Sequence, residues 1–331
     1  MKTIDFRSDT VTRPTLKMRE AMLTAIVGDD VYQDDPTVKE LENLAAKMLN
    51  KESALFVPSG TFSNQLAIMT HTNRGDEVIL EEYAHIKKYE VGAVGALSGA
   101  NIQSLPSIKG KMDLDDIKKA IRGNDIHFPD TSLICIENAY NGIALDLKYM
   151  KSVYEIAKDN DLKVHLDGAR LFNVATALEV EASTICKYAD SISICLSKGL
   201  CAPIGSILVG DEAFIRKARK YRKMLGGGMR QVGVLAAPGI IALEVMTKRL
   251  KEDHDNAKYL ANELNKYKFI DVSFDQLDIN MVFIDMNHPK KNELDKHLRK
   301  KDIIIASLCE IIFSDISVFL LFLASSSRSF V

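Results

Sequence analysis

Two residues carry reactive groups at places where chemistry is expected: Asp167 in VHLDGAR and Lys198 in SICLSKGL. Each follows a short apolar run, Leu162 to Leu166 before the acid and Ser191 to Leu196 before the lysine. A lysine at the end of a buried strand can lose its charge by desolvation and act as a neutral amine nucleophile. A carboxylate close by suits a protonated ring nitrogen. Together they supply what pyridoxal phosphate (PLP) needs, a Schiff-base lysine and an acidic partner for the pyridinium. The same pair also fits a helix cap and a solvated strand end, which are common in α/β proteins. The rest of the chain decides between these.

Residues 161–201 have the make-up of a strand–helix–strand unit, with one crossover helix expected from Phe172 to Tyr188. Such connections join parallel neighbours, and open α/β sheets bind their ligands at the C-terminal strand ends. Upstream, Ala54 to Pro58 reads as a strand running into Ser59-Gly60-Thr61, with a helix from Phe62 to Thr72. Small residues at a strand-to-helix turn let backbone N–H groups and the helix dipole hold a phosphate. His85 follows a strand at Glu77 to Leu80. A histidine there can stack on the ring and serve as acid or base, although a lone histidine is more often a packing or surface residue.

Further strands are expected at Ile102 to Leu105, Ser132 to Glu137 and Pro203 to Gly210. Helices are expected at Thr15 to Ala25, from Asp35-Pro36-Thr37 onward, and at Leu114 to Arg122, Met150 to Asp159 and Glu212 to Met224. Lys223 and Arg230 flank Gly226-Gly227-Gly228, which either sets backbone and charge against a phosphate or forms a flexible linker. Val232 to Leu250 reads as one long apolar helix, and the charged stretch Lys251 to Lys268 as a hinge. This gives a large domain at 1–250, with an N-terminal arm at 1–14, and a small domain at 251–331.

Composition narrows the class. With 331 residues and 47% hydrophobic content, the chain can bury more than one core. A formal net charge of -2 without a Lys/Arg block gives no field for nucleic acid. Five cysteines, none in CxxC spacing, read as reduced thiols of a cytoplasmic protein. The opening MKTIDFRSDTV lacks an apolar signal region. No stretch reaches the roughly 20 apolar residues of a membrane helix. No cluster of His, Asp or Cys has metal-ligand spacing.

Taken in order, FRSDTVTRPT, GDDVYQDDPTV, FVPSGTFSNQLA, HIKKYEVGA, LICIENAYN, VHLDGARLFN, SICLSKGL and RKMLGGGMRQ resemble the low-specificity L-threonine aldolase branch of the β-eliminating lyase family. The resemblance runs from Asp5 to about Met286. It implies a PLP-dependent fold type I large domain with a mostly parallel seven-stranded sheet and a small α+β C-terminal domain. The implied activity is cleavage of L-threonine or L-allo-threonine to glycine and acetaldehyde in a homotetramer, a dimer of dimers sharing active sites. By that resemblance Lys198 forms the Schiff base, Asp167 pairs with the ring nitrogen, His85 stacks on the ring, and Gly60 with Thr61 binds the phosphate. Arg170 reaches the cofactor oxygen and the substrate carboxylate, helped by Ser8. Arg230, with Lys223, reaches a phosphate across the subunit interface, and Tyr32, Tyr89 and His127 line the substrate pocket. The base that deprotonates the β-hydroxyl is His85, His127 or a water.

Three departures stand out. The segment Glu137-Asn138-Ala139-Tyr140-Asn141 lacks the family's usual histidine, and Cys201 replaces a small residue. After Ala306 the chain reads SLCEIIFSDISVFLLFLASSSRSFV, with no arginine between Arg299 and Arg328. The family's second carboxylate-binding arginine is therefore missing, as after a reading-frame change. Retained PLP binding with weakened substrate binding or turnover is expected. The alternatives are a PLP-binding homologue with impaired catalysis, and β-elimination or transamination of another small amino acid.

Overall fold

The computed structural model describes residues 3–289 and 291–306 and the strand Ile311–Ile312. Seven short strands rich in Val, Ile and Leu pair into one sheet: β1 (Ser53–Val57), β2 (Glu77–Glu81), β3 (Asn101–Leu105), β4 (Thr131–Glu137), β5 (Lys163–Asp167), β6 (Ser191–Cys195) and β7 (Ser206–Gly210). Their order is β1-β7-β6-β5-β4-β2-β3. Strand β7 runs antiparallel to both neighbours, and the other pairings are parallel. Strands β2, β6 and β7 are buried at every position, as in a sheet covered on both faces.

Local chemistry starts the helices. In α1 (Leu16–Thr24) the Thr15 hydroxyl accepts from the Met18 N–H, and in α2 (Pro36–Leu49) Asp35 accepts from Val38 with Pro36 in the first turn. Ser59 caps α3 (Gly60–His71) in the same way. The expected helix from Phe172 to Tyr188 is two, α4 (Leu171–Ala177) and α5 (Ala182–Cys186). Glu179 breaks it at φ 55, while the Leu178 and Val180 N–H groups close the end of α4 on Val174 and Ala175.

Helix α6 (Glu212–Met224) has the expected ends, with its start set by the Asp211 cap. The long helix expected to Leu250 ends earlier: α7 (Gly233–Glu244) gives way to a 3-10 turn at Met246–Arg249 and then α8 (Leu250–Leu264). The charged stretch expected as a hinge is thus helical. On its outer face Lys251 pairs with Asp255, while the buried Asp253 takes Arg249 and Ala257, Leu260 and Ala261 face inward.

The main apolar cluster sits around the sheet. A second, smaller one gathers Ala257, Ala261, Val272, Ile284 and Ile305, with Phe6 of the N-terminal arm packed on it. The arm is anchored there by a parallel pairing of Ile4–Asp5 with Ile303–Ile304. Ile311–Ile312 pairs antiparallel with Met281–Val282. The rest of the chain after Ala306, on which the reading-frame expectation falls, lies outside the described residues. No helix among the described residues is long and apolar enough to cross a membrane.

Candidate active site

At the C-terminal ends of β5 and β6 opens a cavity of about 310 Å³. Its wall includes Gly60, Thr61, His85, Asp167, Arg170 and Lys198, six residues that the sequence scatters over 139 positions (60 to 198). Asp167 is the last residue of β5, and Lys198 lies in the turn that follows β6. That turn is held by the Cys201 N–H on the Lys198 carbonyl at 2.9 Å, and the Lys198 carbonyl also accepts from the Thr12 hydroxyl at 2.9 Å. Cys201 sits at φ 64, in the left-handed region that favours glycine. Gly60 opens α3 where no side chain fits, since a Cβ there would meet Cys195 Sγ at 2.7 Å.

Asp167 is buried, yet its carboxylate is well served. Oδ2 accepts from Asn64 Nδ2 at 2.7 Å and Oδ1 from the Ala169 N–H at 3.1 Å. Asn64 Nδ2 also donates to Glu90 Oε1 at 2.9 Å, and Glu90 Oε2 accepts from Gln65 at 2.6 Å. Glu90 in turn takes His85 Nδ1 at 2.9 Å. This bond raises the His85 pKa, against the opposing effect of burial. It also leaves Nε2 as the ring nitrogen not held by Glu90. The His85 N–H donates to Glu137 Oε2 at 2.9 Å. Burial, reinforced by the nearby Asp167 charge, pushes the Glu137 carboxyl up to about 7. His85, Glu90 and Asp167 bring donor atoms within 4.8 Å of one another, a grouping their sequence positions do not suggest; both carboxylates there already accept from Asn64.

Arg170 is aimed by Asp9 through two bonds, Nε to Oδ2 at 2.8 Å and one terminal nitrogen to Oδ1 at 2.7 Å. Burial alone would raise the Asp9 pKa, but Arg170, helped by Lys198, holds it below the usual carboxylate range. Burial opposes charge on Arg170 as well, and the Asp9 carboxylate outweighs it.

Not every expected residue reaches this cavity. Ser8 caps the 3-10 turn Asp9–Val11 beside it. Tyr32 and Tyr89 are 77% and 71% exposed, with Tyr89 stacking at a tilt on His85. His127 lies on an exposed loop, bound to Asp125 at 2.8 Å. Lys223 is exposed, and Arg230 pairs with Asp29 at 2.9 Å. Within one chain, then, these six form no part of the cavity wall. Residues not singled out from sequence do contribute: Asn64, Glu90, Asp9 and Glu137. Asn64 and Glu137 gave a weak signal, as polar residues in or beside apolar runs, and Asp9 and Glu90 gave none, since they lie in polar stretches.

The donor set suits PLP. A buried carboxylate, an amine, a histidine on the rim and the N–H groups opening α3 answer to a ring nitrogen, an aldehyde, a ring face and a phosphate. A family model described as beta-eliminating lyase matches residues 5–287. The chain belongs to the beta-eliminating lyase family. Among relatives of this lyase, low-specificity L-threonine aldolase 1 of Arabidopsis thaliana is 46% identical over 315 residues, covering 92% of this chain and 88% of that one. The low specificity L-threonine aldolase of Escherichia coli (strain K12) is 43% identical over 303 residues, covering 91% and 90%. A solved threonine aldolase from Leishmania major superposes with a TM-score of 0.80 at 19% identity, covering 94% of each chain. A putative L-allo-threonine aldolase from Listeria monocytogenes gives 0.79 at 22%, covering 94% and 89%. At those identities the likeness is one of fold.

Proposed function

We propose that this chain is a PLP-dependent low-specificity L-threonine aldolase, cleaving L-threonine and L-allo-threonine to glycine and acetaldehyde. The observation that carries the proposal is the single cavity where Lys198, Asp167, His85 and Arg170 meet the start of α3. The names of the Arabidopsis and Escherichia coli relatives support the substrate.

When bound, PLP supplies the electron sink for the charge left on Cα once the Cα–Cβ bond breaks. Lys198 would hold the cofactor through its aldehyde and is the amine placed to be exchanged for that of the substrate. Asp167, kept in place by Asn64, holds the proton on the ring nitrogen. The first-turn N–H groups at Gly60 and Thr61 take the phosphate. Arg170, aimed by Asp9, would bind the substrate carboxylate and so fix the orientation of the Cα bonds. His85 covers the ring face and offers Nε2 as acceptor for the β-hydroxyl proton.

The same proposal assigns Tyr32, Tyr89, His127, Lys223 and Arg230 to a site completed by a second copy, within a tetramer of two dimers. Exposed apolar side chains at Leu16, Leu23, Ile26, Tyr32 and Val91 support an assembly. We place the protein in the cytoplasm, with glycine formation as its role and residues 251–331 as its small domain. A second reading, PLP binding with impaired cleavage, is favoured by the lack of arginine between Arg299 and Arg328. Product analysis from L-threonine tests both. Equal glycine and acetaldehyde support cleavage, a 2-oxo acid with ammonia points to elimination, and cofactor absorption without product supports the impaired homologue.

A further inference from the structure

A chain of buried hydrogen bonds runs behind the cavity floor and ends on Asp167. His71 Nε2 lies 2.8 Å from Ser191 Oγ, which lies 2.9 Å from His165 Nδ1. His165 Nε2 lies 3.1 Å from Asn64 Oδ1, and Asn64 Nδ2 donates to both Asp167 and Glu90. The fold builds this from two regular features. His165 and Asp167 project from the same face of β5, two positions apart, and His165 is in register with Ser191 on β6. Helix α3 covers that face and presents Asn64 and His71, two turns apart, to it.

The direction of every hydrogen in the chain follows from its far end. Both Asp167 and Glu90 accept from the Asn64 amide NH₂, so its oxygen faces His165. An amide oxygen cannot donate, so His165 Nε2 carries the hydrogen. His165 is fully buried, and burial lowers its pKa to about 4, which keeps the ring neutral. Its Nδ1 is therefore a bare acceptor and the Ser191 hydroxyl donates to it. That leaves Ser191 Oγ to accept from His71 Nε2–H, whose ring burial also keeps neutral, at about 3.

We propose that His165 and Asn64 are positioning residues for the cofactor-facing acid: His165, as the neutral Nε2–H form, locks the Asn64 amide so that one NH₂ group donates to both Asp167 and Glu90. A single amide thereby fixes the acid beneath the ring nitrogen and the acid that orients His85. The inference rests on the PLP reading of the cavity for its functional meaning, and on hydrogen-bond logic for its chemistry.

Nitrogen-15 NMR of the histidine-labelled full chain tests the chemistry without any substitution. His165 is expected as the neutral Nε2–H form at pH 7, both without and with PLP. An imidazolium or an Nδ1–H form would overturn the proposal. The positioning role is tested by PLP binding, followed by visible absorption. His165→Gln keeps an N–H directed at Asn64 and should hold the dissociation constant within about threefold of the unaltered chain. His165→Leu removes the donor at similar bulk and should raise it at least tenfold, the equivalent of about 1.4 kcal/mol. Equal affinity in the two variants would overturn the role. If His165→Leu fails to fold, the NMR result alone decides. If the unaltered chain takes up no PLP, the proposed function fails, and the histidine form still judges the hydrogen-bond chain.

Discussion

Asp9→Asn is the perturbation whose consequence can be worked furthest. Asp9 has no solvent exposure, and its two oxygens take both bonds from Arg170, at 2.8 and 2.7 Å. Hydrogen bonds to charged groups contribute about 1.5–3 kcal/mol each. Breaking a buried pair from one side costs about 3–5 kcal/mol, because the remaining charge is left uncompensated. Asparagine preserves the shape and one acceptor oxygen, so the lower end, about 3 kcal/mol, is expected. At roughly 2–4 °C per kcal/mol for chains of this order, the melting temperature falls by roughly 6–12 °C. The sign with pH is fixed as well. Asp9 titrates below its ordinary value of 3.8 in the folded chain, so its contribution is complete above that value and fades as pH falls through the lowered one. Thermal and urea unfolding of the cofactor-free chain, at one protein concentration, at pH 7 and again near pH 3, reads this directly. A loss below about 1 kcal/mol at pH 7, or an equal loss at both pH values, would refute the assignment of Asp9 as the charge that holds Arg170.

Other consequences follow from the same geometry. Glu137 titrates near 7 in the folded chain against an ordinary 4.5. Its burial therefore costs nothing below the ordinary value and costs most above pH 7. Glu137→Gln should match the unaltered cofactor-free chain at pH 4.5 and exceed its stability by about 3 kcal/mol near pH 8.5, measured by urea unfolding. Gly60→Ala sets a methyl 2.7 Å from Cys195 Sγ, so a loss of about 1–3 kcal/mol is expected, with weaker PLP uptake in a dialysis assay. His127→Ala, on an exposed loop, should leave stability within about 0.5 kcal/mol; a rise in threonine KM in the assembled protein would mark its role at a shared site.

The sequence made some of this legible and hid the rest for physical reasons. Strand ends and capped helices were readable, because Asp211, Ser59 and Asp35-Pro36 act over three or four residues of their own chain. Asp167 and Lys198 were readable as well, since Asp167 ends a strand and Lys198 lies in the turn after the next one. The breaks at Glu179 and Val245 were not, since neither has the glycine or proline that usually marks one. Asp9 escaped notice because its partner lies 161 positions away. Asn64 and His165 share that difficulty: a polar residue in an apolar helix or strand signals a buried partner but does not say which. Only the register of β5 against β6, with α3 laid across them, brings those partners together.

The central claim is that Lys198 works with PLP in this cavity to cleave threonine. Acetaldehyde release from L-threonine by the PLP-loaded protein, beside Lys198→Ala, tests it most directly. Steady release by the unaltered protein and loss of at least a thousandfold in the variant is the predicted result. Equal release by both, or none by a protein that carries bound PLP, would contradict it.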